Sequence, residues 1–353
     1  MRCLCVLLLS LGVPLLVQSQ AHTVQIGVLG IFHPQELTLA ADQTGELLIW
    51  AADQSIFLEP GSACSLLRVR SSGDNLVLSG CGREIRAREM RASGRDQQSA
   101  GLIVTLPGKI KRRYLGILEL RAKRSELIAV ITMDLEIAVA SAVQAETTPG
   151  TPTEALKAQA VVSRSYYVQG GGRHTDFDFC DLTHCQFLRE PPASDSPAAN
   201  AARSTHGLVL TYDKKPVAAM FTRSCSGHTR TPEEIGLSGT GYPYFSVLCS
   251  FCYKNPVRWT RKVSREDAAL LRLQGENGRL AIGRRLGWDA VPSNNFTAEE
   301  DGGEVTLHGR GQGHGLGLCQ RGARGMAEQG SDFRAIVDHY FPNTRVMALP
   351  STP

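Results

Sequence analysis

The sequence lacks several features that would assign it quickly to a large class of proteins. It contains no internal repeat and no long low-complexity linker. Its formal net charge is only +4 and its charges are scattered, so composition gives no argument for a nucleic-acid partner. After residue 21, no apolar run reaches the ~18–20 residues that a transmembrane helix needs. Residues 309–317 are rich in glycine, but they match neither the dinucleotide-binding G-x-G-x-x-G pattern nor a P-loop.

The first 21 residues predict a secretory signal peptide. Arg2 supplies a positive charge, residues 4–17 form a mostly apolar run, and Ser19-Gln20-Ala21 provides a cleavage site near Ala21. We therefore expect an exported protein, periplasmic or extracellular. Cysteines usually pair in such oxidising compartments, and Cys64 and Cys81 suit a disulfide.

The rest of the chain predicts an α+β fold in two parts. Residues 22–125 alternate short apolar runs with turns, which is typical of β-strands. Within residues 126–353, the apolar period changes from two to 3.6 near Asp134, which predicts a helix with a buried stripe. Thr151–Glu154 has the pattern of a capping box and predicts a second helix, ending near Val168. Three further predictions are a hairpin over 208–222, a short helix at 265–273 capped by Ser264, and a helix at 333–340.

Glu146 is the candidate for acid–base chemistry. It continues the buried stripe of the first helix and directly precedes the break Thr147–Gly150. A carboxyl partly withdrawn from water has a raised pKa, so it can hold a proton near neutral pH and act as a general acid. The alternative is a solvated glutamate at a helix end. Lys157 and Arg164 share one face of the second helix, where they contact Glu146 or a sugar, or form an ordinary solvated basic stripe.

Four residues with metal-binding side chains lie close together in the sequence: His174, Cys180, His184 and Cys185. Two cysteines and two histidines suit a tetrahedral zinc site. Because such a set leaves no position for water, we expect the zinc to be structural. The alternative is a Cys180–Cys185 disulfide with unrelated histidines.

Two loops are candidates for substrate contact. The small polar loop at 224–229 would present Ser224, Gly227 and His228, although an ordinary strand-exit turn fits its composition equally well. The alternating glycines of 309–317 let the backbone pass close to another surface while His314 and Gln320 are presented.

Three cysteines leave a further question open. Cys225, Cys249 and Cys252 form a second metal site with His228, or else two of the three form a disulfide.

Several of these segments resemble the SpoIID/LytB family, the stage II sporulation protein D group of bacterial cell-wall proteins. The most specific is Glu154–Val161, which resembles the family signature with almost no change. Residues 313–317 with Gln320, Gly322 and Ala323, and also His339–Pro342, resemble its C-terminal motifs. The resemblance runs from about Leu127 to Thr344.

The resemblance implies an activity. Characterised members are lytic transglycosylases that cleave peptidoglycan glycan strands between N-acetylmuramic acid and N-acetylglucosamine and leave a 1,6-anhydro end. It places the catalytic glutamate on Glu146, supporting cations on Lys157 and Arg164, and zinc on the His/Cys cluster. Some relatives are described as enhancers of a cell-wall amidase, so a glycan-binding enhancer without cleavage activity is the competing hypothesis.

The chain departs from the family pattern at three places. Thr147-Thr148 stands where Met-Pro usually follows the glutamate, His228 replaces a glycine, and Cys319 replaces a serine. These departures bear on the substrate contacts more than on the catalytic glutamate.

Overall fold

The computed structural model describes residues 22–43, 45–238 and 241–349, and within them the fold is α+β, as predicted. The predicted signal peptide, residues 1–21, lies outside the described residues. No described helix is long and apolar enough to cross a membrane.

Twelve strands form one large sheet. They are Thr23–Val28 (β1), Glu36–Ala41 (β2), Leu47–Ala51 (β3), Gln54–Leu58 (β4), Leu67–Ser72 (β5), Asn75–Gly80 (β6), Arg83–Ala87 (β7), Glu89–Ser93 (β8), Ala100–Leu106 (β9), Ile110–Lys123 (β10), Glu126–Asp134 (β11) and Phe179–Cys180 (β12). The main path runs β12-β1-β11-β10-β9-β2-β5-β6-β7, and β3, β4 and β8 pair beside it.

The sheet forms because its strands alternate buried and exposed residues, which places one apolar set on a common face. In β2, for example, Leu37 and Leu39 are completely buried. The predicted disulfide between Cys64 and Cys81 is confirmed. Strands β10 and β11 are hairpin partners through Lys123 and Glu126, so the boundary predicted after residue 125 divides a hairpin of a single sheet.

The described chain also contains seven α-helices and eight further strands. The helices are Leu135–Glu146 (α1), Thr153–Gln169 (α2), Pro197–Ser204 (α3), Ser250–Lys254 (α4), Arg265–Leu286 (α5), Gln320–Glu328 (α6) and Phe333–Tyr340 (α7). The strands are Leu208–Tyr212 (β13), Lys215–Pro216 (β14), Phe221–Thr222 (β15), Arg258–Ser264 (β16), Phe296–Asp301 (β17), Glu304–Arg310 (β18), Leu318–Cys319 (β19) and Arg345–Ala348 (β20). β13 lies between β14 and β20, β15 pairs with β19, and β18 lies between β16 and β17.

Helix α1 begins and ends as the sequence predicts. The Asp134 carboxylate accepts hydrogen bonds from the backbone N–H groups of Glu136 and Ile137, which caps the helix. The predicted capping box of α2 does not form. Thr151 bonds the carbonyl of Thr148, and Glu154 turns to the backbone N–H of Phe333 at the start of α7. A tertiary contact therefore replaces the local one.

Residues 258–310 contribute a small lobe with its own apolar core, which includes Trp259, Leu271 and Ile282. Ser264 caps α5 as predicted, through the N–H of Asp267. The helix extends far beyond the predicted residue 273, although Gly275 breaks its geometry with φ of 51°. A positive φ of this kind favours glycine, so the kink follows from the sequence.

A buried ion pair joins the helices to one another. Arg164 of α2 is completely buried, and its guanidinium binds both carboxylate oxygens of Glu136 on α1, at 2.7 and 2.6 Å. It also donates to the carbonyls of Ala202, in α3, and Leu208, in β13. Glu136 in turn accepts from the N–H of Gly207. Four elements are thereby held by one pair of charges.

We expect Glu136→Ala to destabilise the fold by about 3–5 kcal/mol, because it leaves the buried Arg164 charge without its partner. Equilibrium denaturation in urea measures this. Glu328→Ala, which breaks the exposed pair with Arg324, is the matched control and should cost about 0–1 kcal/mol. Equal costs for the two variants would contradict the central role of the buried pair.

Candidate functional site

Glu146 is the last residue of α1 and lies where the helix meets a groove. The stripe that precedes it on α1 is buried: Leu135, Val139 and Val143 are at most 3% exposed. Glu146 itself is half-buried, and its Oε1 accepts a hydrogen bond of 2.8 Å from the backbone N–H of Phe187. Burial of the stripe thus carries the carboxyl into a partly dry position.

The surroundings of Glu146 raise the pKa of its carboxyl from 4.5 to about 7. Burial is the largest cause, because it disfavours the charged form. The hydrogen bond from Phe187 and the positive charge of Arg223 act in the opposite direction and lower the pKa. The carboxyl can therefore both give and take a proton near neutral pH.

Two side chains from distant parts of the chain hold the backbone of Glu146. Arg223, just after β15, and Gln320, at the start of α6, each donate to the Glu146 carbonyl at 3.1 Å. Gln320 also donates to the side chain of Gln159 on α2. Because β15 and β19 pair in parallel, the residues that follow them reach the same end of α1.

The groove consists of two adjoining cavities, of about 550 and 450 Å³, that share Glu146, Arg223, Gln312 and Gln320. The larger one continues between α2 and α6, past Thr148, Thr151 and Arg321. The other continues towards the small lobe, past Arg173, His314, Glu276 and Trp288. Glu146 therefore lies at the middle of a groove that is open on both sides of it.

His314 lies in the wall of this groove, as the glycine-rich loop predicts. Its Nδ1 accepts from the N–H of Leu316, and burial lowers the pKa of the ring to about 4. The imidazole is neutral at neutral pH, with Nε2 left as the donor. The alternating glycines have a steric cause: Gly311 and Gly317 both have positive φ, and a Cβ there would collide with the Ser224 and Met220 carbonyls.

The two cations expected to contact substrate bind elsewhere. Arg164 is enclosed in its ion pair with Glu136. Lys157 binds Glu154 at 2.7 Å, three residues earlier on α2. Neither side chain lines the groove. Lys157 and Arg164 do share one face of α2, as their spacing predicts, but that face packs against other elements of the fold.

The small polar loop also lies outside the groove walls. Ser224 is buried beside Cys252, and His228 is exposed, where its backbone bridges to Leu248. Gly227 has φ of 116° and a carbonyl that accepts from the N–H of Cys249. The loop supports the wall from behind, and Arg223, immediately before it, faces the groove.

The His/Cys cluster assembles in space as the sequence predicts. One ligand atom from each of His174, Cys180, His184 and Cys185 lies within 4.8 Å of all the others. The measured S···N separations are 3.3 Å for Cys185–His174, 3.8 Å for Cys180–His184 and 3.7 Å for Cys185–His184. Tetrahedral ligands at ~2.0–2.3 Å from zinc lie roughly 3.5–3.8 Å apart. The donor set and its spacing fit one zinc ion.

The cluster is joined directly to the groove. His184 and Cys185 form part of its wall, and Phe187, two residues later, donates to Glu146. Between them Gln186 is buried and donates to the Ser163 carbonyl on α2. Asp181, also buried, anchors the loop to the sheet through Arg112 and the N–H of Leu29. The loop therefore fixes the donor that reaches the Glu146 carboxylate.

Comparisons with known proteins find similarity to one bacterial family. Residues 123–212 match the family described as SpoIID, stage II sporulation protein. Stage II sporulation protein D of Bacillus amyloliquefaciens is 29% identical over 244 residues, covering 56% of this chain and 70% of that protein. These similarities support the SpoIID/LytB family for this chain.

Two further proteins are similar to parts of the chain. An uncharacterized protein of Brachyspira hyodysenteriae is 26% identical over 265 residues, covering 65% of this chain and 70% of that protein. The amidase enhancer of Bacillus subtilis is 36% identical over 59 residues, covering 17% of this chain and 8% of that protein. Together the SpoIID relatives support a role related to the cell wall.

The SpoIID match covers only one side of the groove. Glu146 and the His/Cys cluster lie inside residues 123–212, whereas Arg223, Gln312 and Gln320 lie outside them. The sequence analysis missed Arg223, Gln312 and Gln159. Gln159 lies within the family signature, but its role depends on Gln320, which is 161 residues away.

We expect Glu146→Gln to stabilise the protein at pH 8 and to leave its stability nearly unchanged at pH 4. The folded pKa near 7 exceeds the ordinary 4.5, so the folded state binds more protons and loses stability as pH rises between these values. The full shift corresponds to about 3 kcal/mol. Thermal unfolding across this pH range tests it, with the exposed Glu233→Gln as control. An unchanged difference between variant and wild type across this range would mean that the pKa of Glu146 is not raised.

Proposed function

We propose that this protein is an exported peptidoglycan lytic transglycosylase in which Glu146 is the general acid and base. The observation that carries the proposal is the position of one carboxyl, with a pKa near 7, at the middle of a groove open on both sides. A groove of this kind suits a polymer that is cut within the strand. Similarity to the SpoIID/LytB family supports the same substrate class.

In the proposed reaction, protonated Glu146 donates its proton to the glycosidic oxygen as the bond from C1 of N-acetylmuramic acid breaks. The resulting carboxylate then takes the proton of the muramoyl 6-hydroxyl, whose oxygen bonds to C1 and closes the 1,6-anhydro ring. The proton is regained by Glu146 and no water is consumed. Because the nucleophile belongs to the sugar, one carboxyl suffices where most glycoside hydrolases use two.

The other acidic groups of the groove support this assignment to Glu146. Burial raises the pKa of Glu276, but its hydrogen bonds with Arg279 and Asn294 and the charge of Arg279 act against burial, and the net pKa is lowered. Glu328, at the far end, pairs with Arg324. Both are parts of ion pairs, whereas the pKa of Glu146 is raised, so Glu146 is the groove carboxyl suited to carry a proton.

The neighbours of Glu146 act as positioning residues. Arg223 and Gln320 hold its carbonyl, which fixes the end of α1. Arg223 also lines both cavities, where it faces the bound sugar. Its positive charge lowers the pKa of the catalytic carboxyl. Gln312 and His314 provide polar groups for sugar hydroxyls and amides along the walls.

His174, Cys180, His184 and Cys185 would hold a structural zinc ion. A bound zinc would cross-link the loop that carries Phe187 and so keep its N–H on the carboxylate of Glu146. The loop itself supplies the hydrogen bond. Export to the cell wall belongs to the same proposal and depends on the predicted signal peptide.

The second candidate is a glycan-binding enhancer of a cell-wall amidase. It is favoured by the similarity of a short stretch to an amidase enhancer. In that case the groove binds the strand and Glu146 is not needed for chemistry. The two functions differ in their products, because an enhancer alone creates no new glycan ends.

Mass spectrometry of purified glycan strands, with and without stem peptides, tests the proposal. After incubation with the mature protein we expect new 1,6-anhydro ends, and we expect Glu146→Gln to lose at least about 100-fold in their rate of formation. Glu233→Gln, at an exposed position, is the control and should retain full activity. Strand binding without new ends would favour the enhancer, and full cleavage by Glu146→Gln would exclude its catalytic role.

The pH profile gives a second test. Since the acid must be protonated, kcat/KM should fall as pH rises through about 7. Arg223→Gln removes a charge that lowers this pKa, so the descending limb of the pH profile of kcat/KM should move to higher pH in this variant. Arg324→Gln, at the far end of the groove, should leave the limb in place. If the descending limb does not move in Arg223→Gln, the group that titrates in the pH profile is not Glu146.

The double variant His174→Ala/Cys185→Ser should lose zinc and most of its cleavage activity, because the loop that carries Phe187 is released. Loss of the Phe187 hydrogen bond, which lowers the Glu146 pKa, should also move the descending limb upwards. Metal analysis together with the pH profile measures both effects. Wild-type activity in a zinc-free variant would dismiss the positioning role of this loop.

A further inference from the structure

A second cluster, of four cysteines, lies beside the segments that carry Arg223 and Gln320. Cys225 follows β15, Cys249 and Cys252 lie at the start of α4, and Cys319 ends β19. All four are at most 3% exposed, and their sulphur atoms all lie within 4.8 Å of one another. The sequence analysis considered His228 as the fourth member. The structure replaces it with Cys319, since His228 points away into solvent.

We infer that Cys225, Cys249, Cys252 and Cys319 form a second zinc site, with a structural role. Four thiolates on a zinc ion at ~2.3 Å lie roughly 3.8 Å apart. The sulphur atoms of Cys252 and Cys319 are 3.5 Å apart, and no pair of the four is joined in a disulfide. The compact arrangement suits a single ion, because an iron–sulfur cluster spreads its thiolates over several metal atoms.

The surroundings of the cluster provide hydrogen bonds that a four-thiolate site needs. Three groups lie within reach of a sulphur: the N–H of Gly322 at 3.4 Å from Cys319, the Tyr340 hydroxyl at 3.3 Å from Cys249, and the Ser224 hydroxyl at 3.5 Å from Cys252. Four thiolates and one Zn²⁺ carry two net negative charges in a buried place. Donors of this kind orient the ligands and offset that charge.

The location of the cluster indicates what the metal would do. Cys225 comes two residues after Arg223, and Cys319 directly precedes Gln320, and both of these neighbours donate to the Glu146 carbonyl. A shared ion would therefore tie together the two segments that hold the end of α1, with α4 as a third support. This role concerns the fold of the groove wall and does not depend on which reaction the groove performs.

Metal analysis of the purified full chain tests the inference. We expect two zinc ions per chain in the wild type, one for each cluster, and one in His174→Ala/Cys185→Ser. Cys319→Ser, which places the serine of the family pattern in the chain, should lose one of the two zinc ions. His228→Ala is the matched control and should retain both. One zinc ion in the wild type that survives Cys319→Ser, or a second ion lost in His228→Ala, would overturn the four-cysteine site.

A thiol count on the wild type keeps the test valid if Cys319→Ser does not fold. After denaturation with a chelator and without reductant, six of the eight cysteines that follow residue 21 should react with an alkylating reagent, and Cys64 and Cys81 should not. Peptide mapping would identify them. Disulfide-linked peptides among Cys225, Cys249, Cys252 and Cys319 would overturn the inference, as would iron in place of zinc.

Discussion

The buried pair of Arg164 and Glu136 is the interaction on which the helical half depends. A charge removed from water is costly unless its whole hydrogen-bonding capacity is used. Here the guanidinium meets a carboxylate in the bidentate geometry that suits it, and its remaining donors reach the carbonyls of Ala160, Ala202 and Leu208. Because these partners belong to separate elements, the pair fixes how α1, α2, α3 and β13 pack. The direction of α1, and hence the position of Glu146 at its far end, follows from that packing.

Whereas the buried pair stabilises the fold, the position of Glu146 reduces its stability. A carboxyl with a raised pKa is one that the fold destabilises in its charged form, so the site reduces stability at neutral and alkaline pH. The structure limits this cost with one hydrogen bond from Phe187 and one nearby charge on Arg223. More donors would bring the pKa back towards its ordinary value, and fewer would leave the carboxyl protonated throughout. The number of neighbours is therefore set by the chemistry we propose and not by stability.

The sequence predicts those parts of the molecule that depend on local patterns. Periodicity predicts α1 and its buried stripe, the capping residue Ser264 predicts the start of α5, and α7 has the predicted bounds. Close spacing was sufficient for the His/Cys cluster and for Cys64 with Cys81. The prediction for Arg164 and Lys157 had the right helix face but the wrong partners, because spacing along a helix does not show what packs against it. The capping box at Thr151 failed for a related reason, since Glu154 is used by Phe333, 179 residues away.

Long-range pairing explains what sequence reasoning could not find. Arg223 and Gln320 reach Glu146 because β15 and β19 pair in parallel, and no local sequence pattern at either residue predicts that pairing. The same pairing brings Cys319 to Cys225, whereas spacing along the chain favours His228, which is closer in sequence, as the fourth ligand.

Each side of Glu146 is thus supported by a loop with metal-binding side chains: the His/Cys cluster beside Phe187, and the four cysteines beside Arg223 and Gln320. Such loops have little regular structure of their own, since α4 has only five residues and β15 and β19 two each. A cross-link by metal can supply the rigidity that these short elements lack. Under the two metal-site proposals, the positioning of one carboxyl to within a hydrogen bond would depend on two bound ions as well as on the packing of α1.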